Sequence, residues 1–198
     1  RDYYASRGLG DVYKRQDKNV EWLQFDEPSL VRDMDDYDKA LFHKVYDRVF
    51  ADHVRCKVLL QTYFGDVRDV YEDIINMPFA GIGLDFIEGR QTGELINRYG
   101  FPGDKVLFAG LVNGKNIWRN HYDKTLKIIR QLRDKKINVV LSTSCSLLHV
   151  PYTLKHETKL SQDYLRFFAF AEEKLTELSE LTTLAESYNY TEIEAYHK

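Results

Sequence analysis

KVLLQTYFGDVRDVYEDIINMPFAGIGLDFIEGRQTGELINRYGFPGDKVLFAGLVNG (57–114) holds three short apolar runs, Val58–Tyr63, Gly81–Phe86 and Val106–Leu111. Two amphipathic stretches, Val67–Ile75 and Glu94–Tyr99, separate them. Each run is nearly continuous in apolar residues, which is how a strand buried on both faces reads. Outside this stretch the rhythm continues, with Trp22–Phe25 before it and Asn138–Ser142 after it. Further helices are predicted over Asp36–His53, Trp118–Leu132 and Ser161–Tyr188. In the first, Leu41, Val45 and Val49 lie four apart, with Ala40 and Phe42 alongside. The second carries Leu126, Ile129 and Leu132. The third carries Leu165, Phe168, Ala171, Leu175, Leu178 and Leu181 in steps of three or four. Strand and helix in alternation, with crossovers of this length, give parallel β/α architecture.

Polar or small residues gather where each run ends. They are Asp26 and Glu27 after the first, Thr62 and Asp66 after the second, Asp85 within the third, Asn113 and Gly114 after the fourth, and Ser142 to Cys145 after the fifth. A (β/α)8 barrel puts its working groups at these C-terminal strand ends, and a doubly wound sheet does so at its switch point. Gly81-Ile82-Gly83 lies inside a strand, so it is no dinucleotide-binding turn. A complete eight-stranded barrel takes about 250 residues. Five runs in 198 residues therefore read as an incomplete barrel or a small open sheet.

Composition narrows the classes. Hydrophobic residues make up 43% and charged residues 30%, which marks a globular chain. With 28 basic and 31 acidic residues there is no basic footprint for nucleic acid or an anionic membrane. No apolar run is long enough to span a bilayer. Cys56 and Cys145 are too few for a disulfide scaffold and suit a reduced, cytosolic setting. Fourteen Tyr mean either a large core or a stacking surface. Arg1–Gln16 (RDYYASRGLGDVYKRQ) has no sustained period. It reads equally as a non-native leader, a translated scar of sequencing reads, or as a native loop with a frayed turn.

Three constellations could carry chemistry. Asp26-Glu27-Pro28 offers two carboxylates at a strand end, able to orient an amine or to act as acid and base. The structural alternative is a carboxylate bonded to loop backbone, with Pro28 ending the strand. Cys145 and His149, four apart, could share a zinc ion on a helix. Pro151 argues against a helix there, and two ligands do not make a site. A Cys/His nucleophile pair lacks a third group. Asn113–Arg119 (NGKNIWR) reads as a turn entering a helix, where backbone N–H groups with Lys115 and Arg119 could attract a carboxylate or phosphate. The alternative is a helix cap with Trp118 packed on the wall. Tyr188, Tyr190 and Tyr196 read as helix packing and tail.

EWLQFDEPSLV (21–31), LLQTYFGD (59–66), GIGLDFIEG (81–89), AGLVNGKNIWRN (109–120), STSCSLLHVPYTLKHET (142–158) and FAFAEEKLTEL (168–178) occur in that order. Together they resemble the N-terminal barrel of the cobalamin-independent methionine synthases, the 5-methyltetrahydropteroyltriglutamate–homocysteine methyltransferases. The resemblance runs from about Asn19 to the C-terminus. It implies α/β architecture, an incomplete (β/α)8 TIM barrel comprising about strands four to eight. Residues 1–16 would then be a non-native or disordered leader, and 17–198 the C-terminal half of that barrel. It also implies a cytoplasmic methyltransferase of methionine biosynthesis whose substrates are homocysteine and methyltetrahydrofolate polyglutamate. Its zinc ligands (one His, two Cys, one Glu) would lie in a C-terminal barrel absent here, and zinc would hold and activate the homocysteine thiol. This fragment would be scaffold: it assigns no catalytic, cofactor-binding or metal residue and binds no cofactor, with Cys145 a vestige. Its partner would be the missing barrel, with no nucleic acid or membrane. The other readings are an orphan half-barrel that binds a partner, and another member of the uroporphyrinogen decarboxylase and methyltransferase barrel superfamily.

Overall fold

The computed structural model describes residues 20–51 and 55–186. Five strands, β1 (Trp22–Asp26), β2 (Lys57–Gln61), β3 (Gly81–Asp85), β4 (Val106–Val112) and β5 (Asn138–Thr143), form one parallel sheet in sequence order. The helices are α1 (Asp36–Phe50), α2 (Tyr71–Asn76), α3 (Thr92–Tyr99), α4 (Tyr122–Asp134), the single turn α5 (Gln162–Leu165) and α6 (Ala171–Glu186). The five strands expected from the sequence are all present, each in parallel register with its neighbour. The expected leader 1–16 and the residues Tyr188, Tyr190 and Tyr196 lie outside the described residues.

The two-residue period of a strand sorts the sheet into two unlike faces. On one, Val58, Leu60, Ile82, Leu84, Leu107, Ala109 and Leu111 share a core with Phe42 and Tyr46 of α1, Ile74 of α2, Ile96 of α3, Ile129 of α4 and Leu181 of α6. The five longer helices therefore cover the same face. A fully buried Leu60 or Ile82 contributes about 1.5–3 kcal/mol relative to exposure. The opposite face has no helix over it among the described residues. At the N-terminal end of the strands the Trp22 and Phe108 rings meet edge to face at 5.7 Å. Gly81 makes room for them, since a Cβ there would stand 2.9 Å from the Phe108 ring. Toward the C-terminal strand ends the same face carries Gln24, Asp26, Gln61, Asp85 and Ser142. Val140 on this face is 41% exposed.

Three helix expectations need correction. In α1, Leu41 and Val45 are exposed, and it is Phe42 and Tyr46 that are buried. The Leu41/Val45 row borders a groove of about 260 Å3 with Leu30 and Met34. The helix expected from Trp118 begins only at Tyr122, and the long helix expected over Ser161–Tyr188 is broken between Leu165 and Ala171. One contact causes both breaks. Trp118 and Phe168 form an antiparallel bridge, in which Arg119 N donates to Phe167 O at 2.9 Å and Ala169 N to Ile117 O at 2.8 Å. Backbone groups used across this pairing are not available to the helical ladder. Within α6, Leu175 is exposed, while Lys174 and Glu177 are buried.

Candidate functional site

The C-terminal ends of the strands open onto a cleft of about 610 Å3, bordered by Asp26, Gln61, Tyr63, Phe64, Cys145 and His149. Its geometry depends on Asp85, the last residue of β3, which is 1% exposed. The Asp85 carboxylate accepts three backbone N–H groups: Phe64 at 3.0 Å, Ile87 at 2.7 Å and Glu88 at 3.0 Å. Burial pushes its pKa up, and those three hydrogen bonds pull against the rise. The carboxylate thereby ties the loop after β2 to the turn after β3.

Phe64 is held in an unusual backbone state by this bond. Its φ is +74°, left-handed and unfavourable for a bulky L residue. The ring lies between the His149 ring, at 5.5 Å, and the Lys115 ammonium, at 5.0 Å from its centroid. Lys115 is in turn paired with Glu88 at 2.7 Å. With the Tyr63 ring at 4.9 Å, three neighbours thus meet at one aromatic ring. Nothing in the sequence around YFGD signals a left-handed Phe, because Gly65 sits beside it and would be the ordinary choice.

Asp26 and Glu27 come to the same rim but do not face the cleft together. Asp26 Oδ1 accepts from Gln24 Nε2 at 2.7 Å. Glu27 Oε1 accepts from the Tyr46 hydroxyl at 2.6 Å, which fastens β1 to α1, and Glu27 Oε2 accepts from Ser29. Their partners are side chains, not the loop backbone expected from the sequence. Pro28 does end the strand and starts a short 3-10 turn, Pro28–Val31.

Cys145 and His149 both border the cleft but are not joined to each other. The Cys145 thiol is buried and reaches Ser146 O at 3.8 Å. Burial pushes its pKa up, the opposite of what a nucleophile or metal thiolate needs. Among the described residues no group of three His, Cys, Asp or Glu is arranged to hold a metal ion. The residues present here therefore do not fit a zinc site.

The Asn113–Arg119 segment is not a helix entrance. Asn113 Oδ1 accepts from Lys115 N at 2.8 Å and Asn116 N at 3.0 Å, a closed turn well ahead of α4. Trp118 is 56% exposed, so it does not pack on the wall as expected. Lys115 is drawn to Glu88, and the Lys115 and Asn116 N–H groups are already bonded to Asn113, so this turn does not present them to an anion.

A glycine beside the Asp85 turn offers a direct check of this geometry. A Cβ on Gly89 would fall well inside van der Waals contact of the Asp85 carbonyl oxygen and Thr92 Oγ1. The three atoms nearest a Cβ on Gly83 all belong to the Gln61 side-chain amide, the end of a side chain that can turn. Gly89→Ala is expected to lose about 1–3 kcal/mol or more in urea unfolding, and Gly83→Ala under about 1 kcal/mol. Equal losses would place the close approach elsewhere.

With this geometry in view, likeness to known proteins can be read. A family model described as the cobalamin-independent synthase, N-terminal domain, matches residues 11–137, starting inside the 1–16 stretch. A 5-methyltetrahydropteroyltriglutamate–homocysteine methyltransferase of Lactococcus lactis subsp. cremoris (strain SK11) is 55% identical over 164 residues, 83% of this chain and 22% of the relative. One of the same name from Campylobacter jejuni (strain 81-176) is 51% identical over 174 residues, 88% of this chain and 23% of the relative. This chain thus spans about a fifth of the length of the curated relatives it matches. Among solved structures, a B12-independent methionine synthase from Shewanella sp. W3-18-1 superposes with TM-score 0.56 at 13% identity, over 88% of this chain and 52% of that one. A methyltransferase from Methanosarcina mazei gives TM-score 0.59 at 12% identity, over 90% and 46%. Those two identities carry the fold alone. The family match covers well over half of the residues, and the chain belongs to the family of cobalamin-independent synthase N-terminal domains.

Proposed function

We propose that this chain is the non-catalytic scaffold portion of a zinc-dependent methyltransferase. The whole enzyme transfers a methyl group from 5-methyltetrahydropteroyltri-L-glutamate to homocysteine, forming methionine. The observation that carries this reading is identity above 50% to enzymes of that name, over a fifth of their length and within an N-terminal domain. In the same reading the five-stranded sheet is about strands four to eight of a (β/α)8 barrel. Residues 17–198 are its C-terminal half and 1–16 a leader. The sequential parallel order, the helices on one face and the partly exposed opposite face support it.

The reading assigns the zinc ligands to a C-terminal barrel outside this stretch. It is supported by a buried Cys145 whose pKa burial raises, and by a Cys145–His149 pair without a third ligand among the described residues. The cleft at the strand ends then forms one wall facing that barrel, and its Asp85–Phe64–Lys115–Glu88 network holds the wall rigid. The location is cytoplasmic. Among the described residues no helix is long and apolar enough to cross a membrane.

Two assays test the proposal. The 198-residue chain alone is expected to form no methionine from homocysteine and the methylated folate, because among its described residues no cluster is arranged to hold a metal that would activate a thiol. Turnover by this chain would remove the scaffold reading. Exchanging the matching 164-residue stretch of the Lactococcus lactis relative for this one should leave methionine formation intact. A correctly folded chimera without activity would remove the family reaction.

A further inference from the structure

Helix α6 buries charge where its sequence offers leucine. Lys174 is 0% exposed and Glu177 is 4% exposed, while Leu175 between them is 57% exposed. Both buried groups reach the connection between β4 and α4. Lys174 Nζ donates to Trp118 O at 3.1 Å, and Glu177 Oε1 accepts from Asn120 N at 2.8 Å. Asn120 fixes the segment further, donating from Nδ2 to Leu111 O at 2.8 Å and accepting from Thr125 Oγ1 at 2.7 Å. The second oxygen of Glu177, Oε2, is buried with no hydrogen-bond partner among the described residues.

Burying Lys174 and Glu177 is a poor source of stability compared with apolar residues of the same volume, because desolvation offsets the hydrogen bonds they make. An unpartnered carboxylate oxygen makes the ionised form worse still. Both penalties vanish if the segment lifts and water enters. We infer that Lys174 and Glu177 form a proton-controlled latch on residues 117–120, closed while Glu177 carries its proton and loosened as the carboxylate ionises. The segment bears exposed Trp118 and continues from Lys115 at the cleft rim, so the latch governs how rigidly that rim is presented.

The titratable and charged groups facing Glu177 are Lys174 and Glu180 on α6, Tyr122 on α4 and Arg119 on the segment itself. Cys145, beyond β5, faces Lys174. Burial raises the Glu177 pKa above its ordinary 4.5, with Glu180 adding to the rise and the Asn120 N–H, Lys174 and Arg119 opposing it. A raised pKa in the closed state means that closure is fully supported below pH 4.5 and weakens as pH climbs through the raised value. Burial lowers the Lys174 pKa from 10.5, so its contribution is complete only above that pH and declines as pH falls through the lowered value.

The test is amide hydrogen exchange of the full chain at Arg119, Asn120 and Ala169, the donors that close the segment. Protection is followed from about pH 4 to about pH 7 and corrected for intrinsic exchange. Wild-type protection should fall by up to about tenfold per pH unit as Glu177 ionises, the slope of one linked proton. Glu177→Gln keeps an acceptor for Asn120 N but has no proton to lose, so its profile should be flat. A flat wild-type profile, or the same slope in Glu177→Gln, overturns the latch. Should that variant fail to fold, the carbon-13 titration of the Glu177 carboxyl in the wild-type chain decides. Its midpoint must coincide with the loss of protection, and a different midpoint overturns the proposal.

Discussion

Asp85→Ala is expected to lower stability by about 3 kcal/mol or more, since three buried or half-buried N–H groups lose their acceptor at once and each unsatisfied donor costs about 1–3 kcal/mol. The loss should not be confined to β3. Without the carboxylate Phe64 loses the hydrogen bond that accompanies φ +74°, so the ring should shift relative to His149 and Lys115. Asp85→Asn keeps one oxygen but turns an amide NH2 toward donors, and should fall between wild type and alanine. Urea unfolding gives the energies, and the His149 ring resonances report whether Phe64 has moved. Asp85→Ala with wild-type stability and unshifted His149 signals would mean that the cleft is built some other way.

The second large effect belongs to the helix-covered core. Phe79 precedes β3, is 1% exposed and packs edge to face on Tyr46 at 5.1 Å and Phe50 at 5.2 Å. Phe79→Ala removes the ring that joins α1 to the sheet and should cost about 3–5 kcal/mol. Leu41→Ala is the matched control. Leu41 is 48% exposed, so in this chain its truncation should change stability by no more than about 0.5 kcal/mol. A Leu41→Ala loss as large as that of Phe79→Ala would return the Leu41/Val45 row to the core.

Much of the helix-covered core was legible in advance. The apolar runs at Val58, Gly81 and Val106 each sit between helical stretches, and their strands formed in sequence order. The faces of the helices were less legible. In α1 two apolar rows run side by side, Leu41/Val45 and Phe42/Tyr46, and a period of 3.6 allows either to face inward. Packing against Phe79 selected the aromatic row. In α6 a leucine-rich stripe pointed to Leu175, but the polar groups that Lys174 and Glu177 satisfy come from a segment more than fifty residues away. Hydropathy along one helix carries no record of such a partner.

The candidate site divides the same way. Asp85 stands out in the sequence as an acid within an apolar run, and its three backbone bonds belong to loops whose meeting follows from strand order. The four-residue spacing of Cys145 and His149 pairs them on paper. Folding brought both to one cleft, but burial of the thiol and the approach of His149 to Phe64 gave them different neighbours.

The sequence alone determined which segments are strands and that they run parallel, because continuous apolar runs and crossover lengths are properties of each stretch and its immediate flanks. Only the tertiary structure decided where the helices around Trp118 and Phe168 stop. Their local periodicity favours helix in both places, and each would satisfy its own backbone if left alone. Brought together in the fold, residues 117–119 and 167–169 bond to each other instead, and one nonlocal bridge ends two helices that no local pattern would have ended.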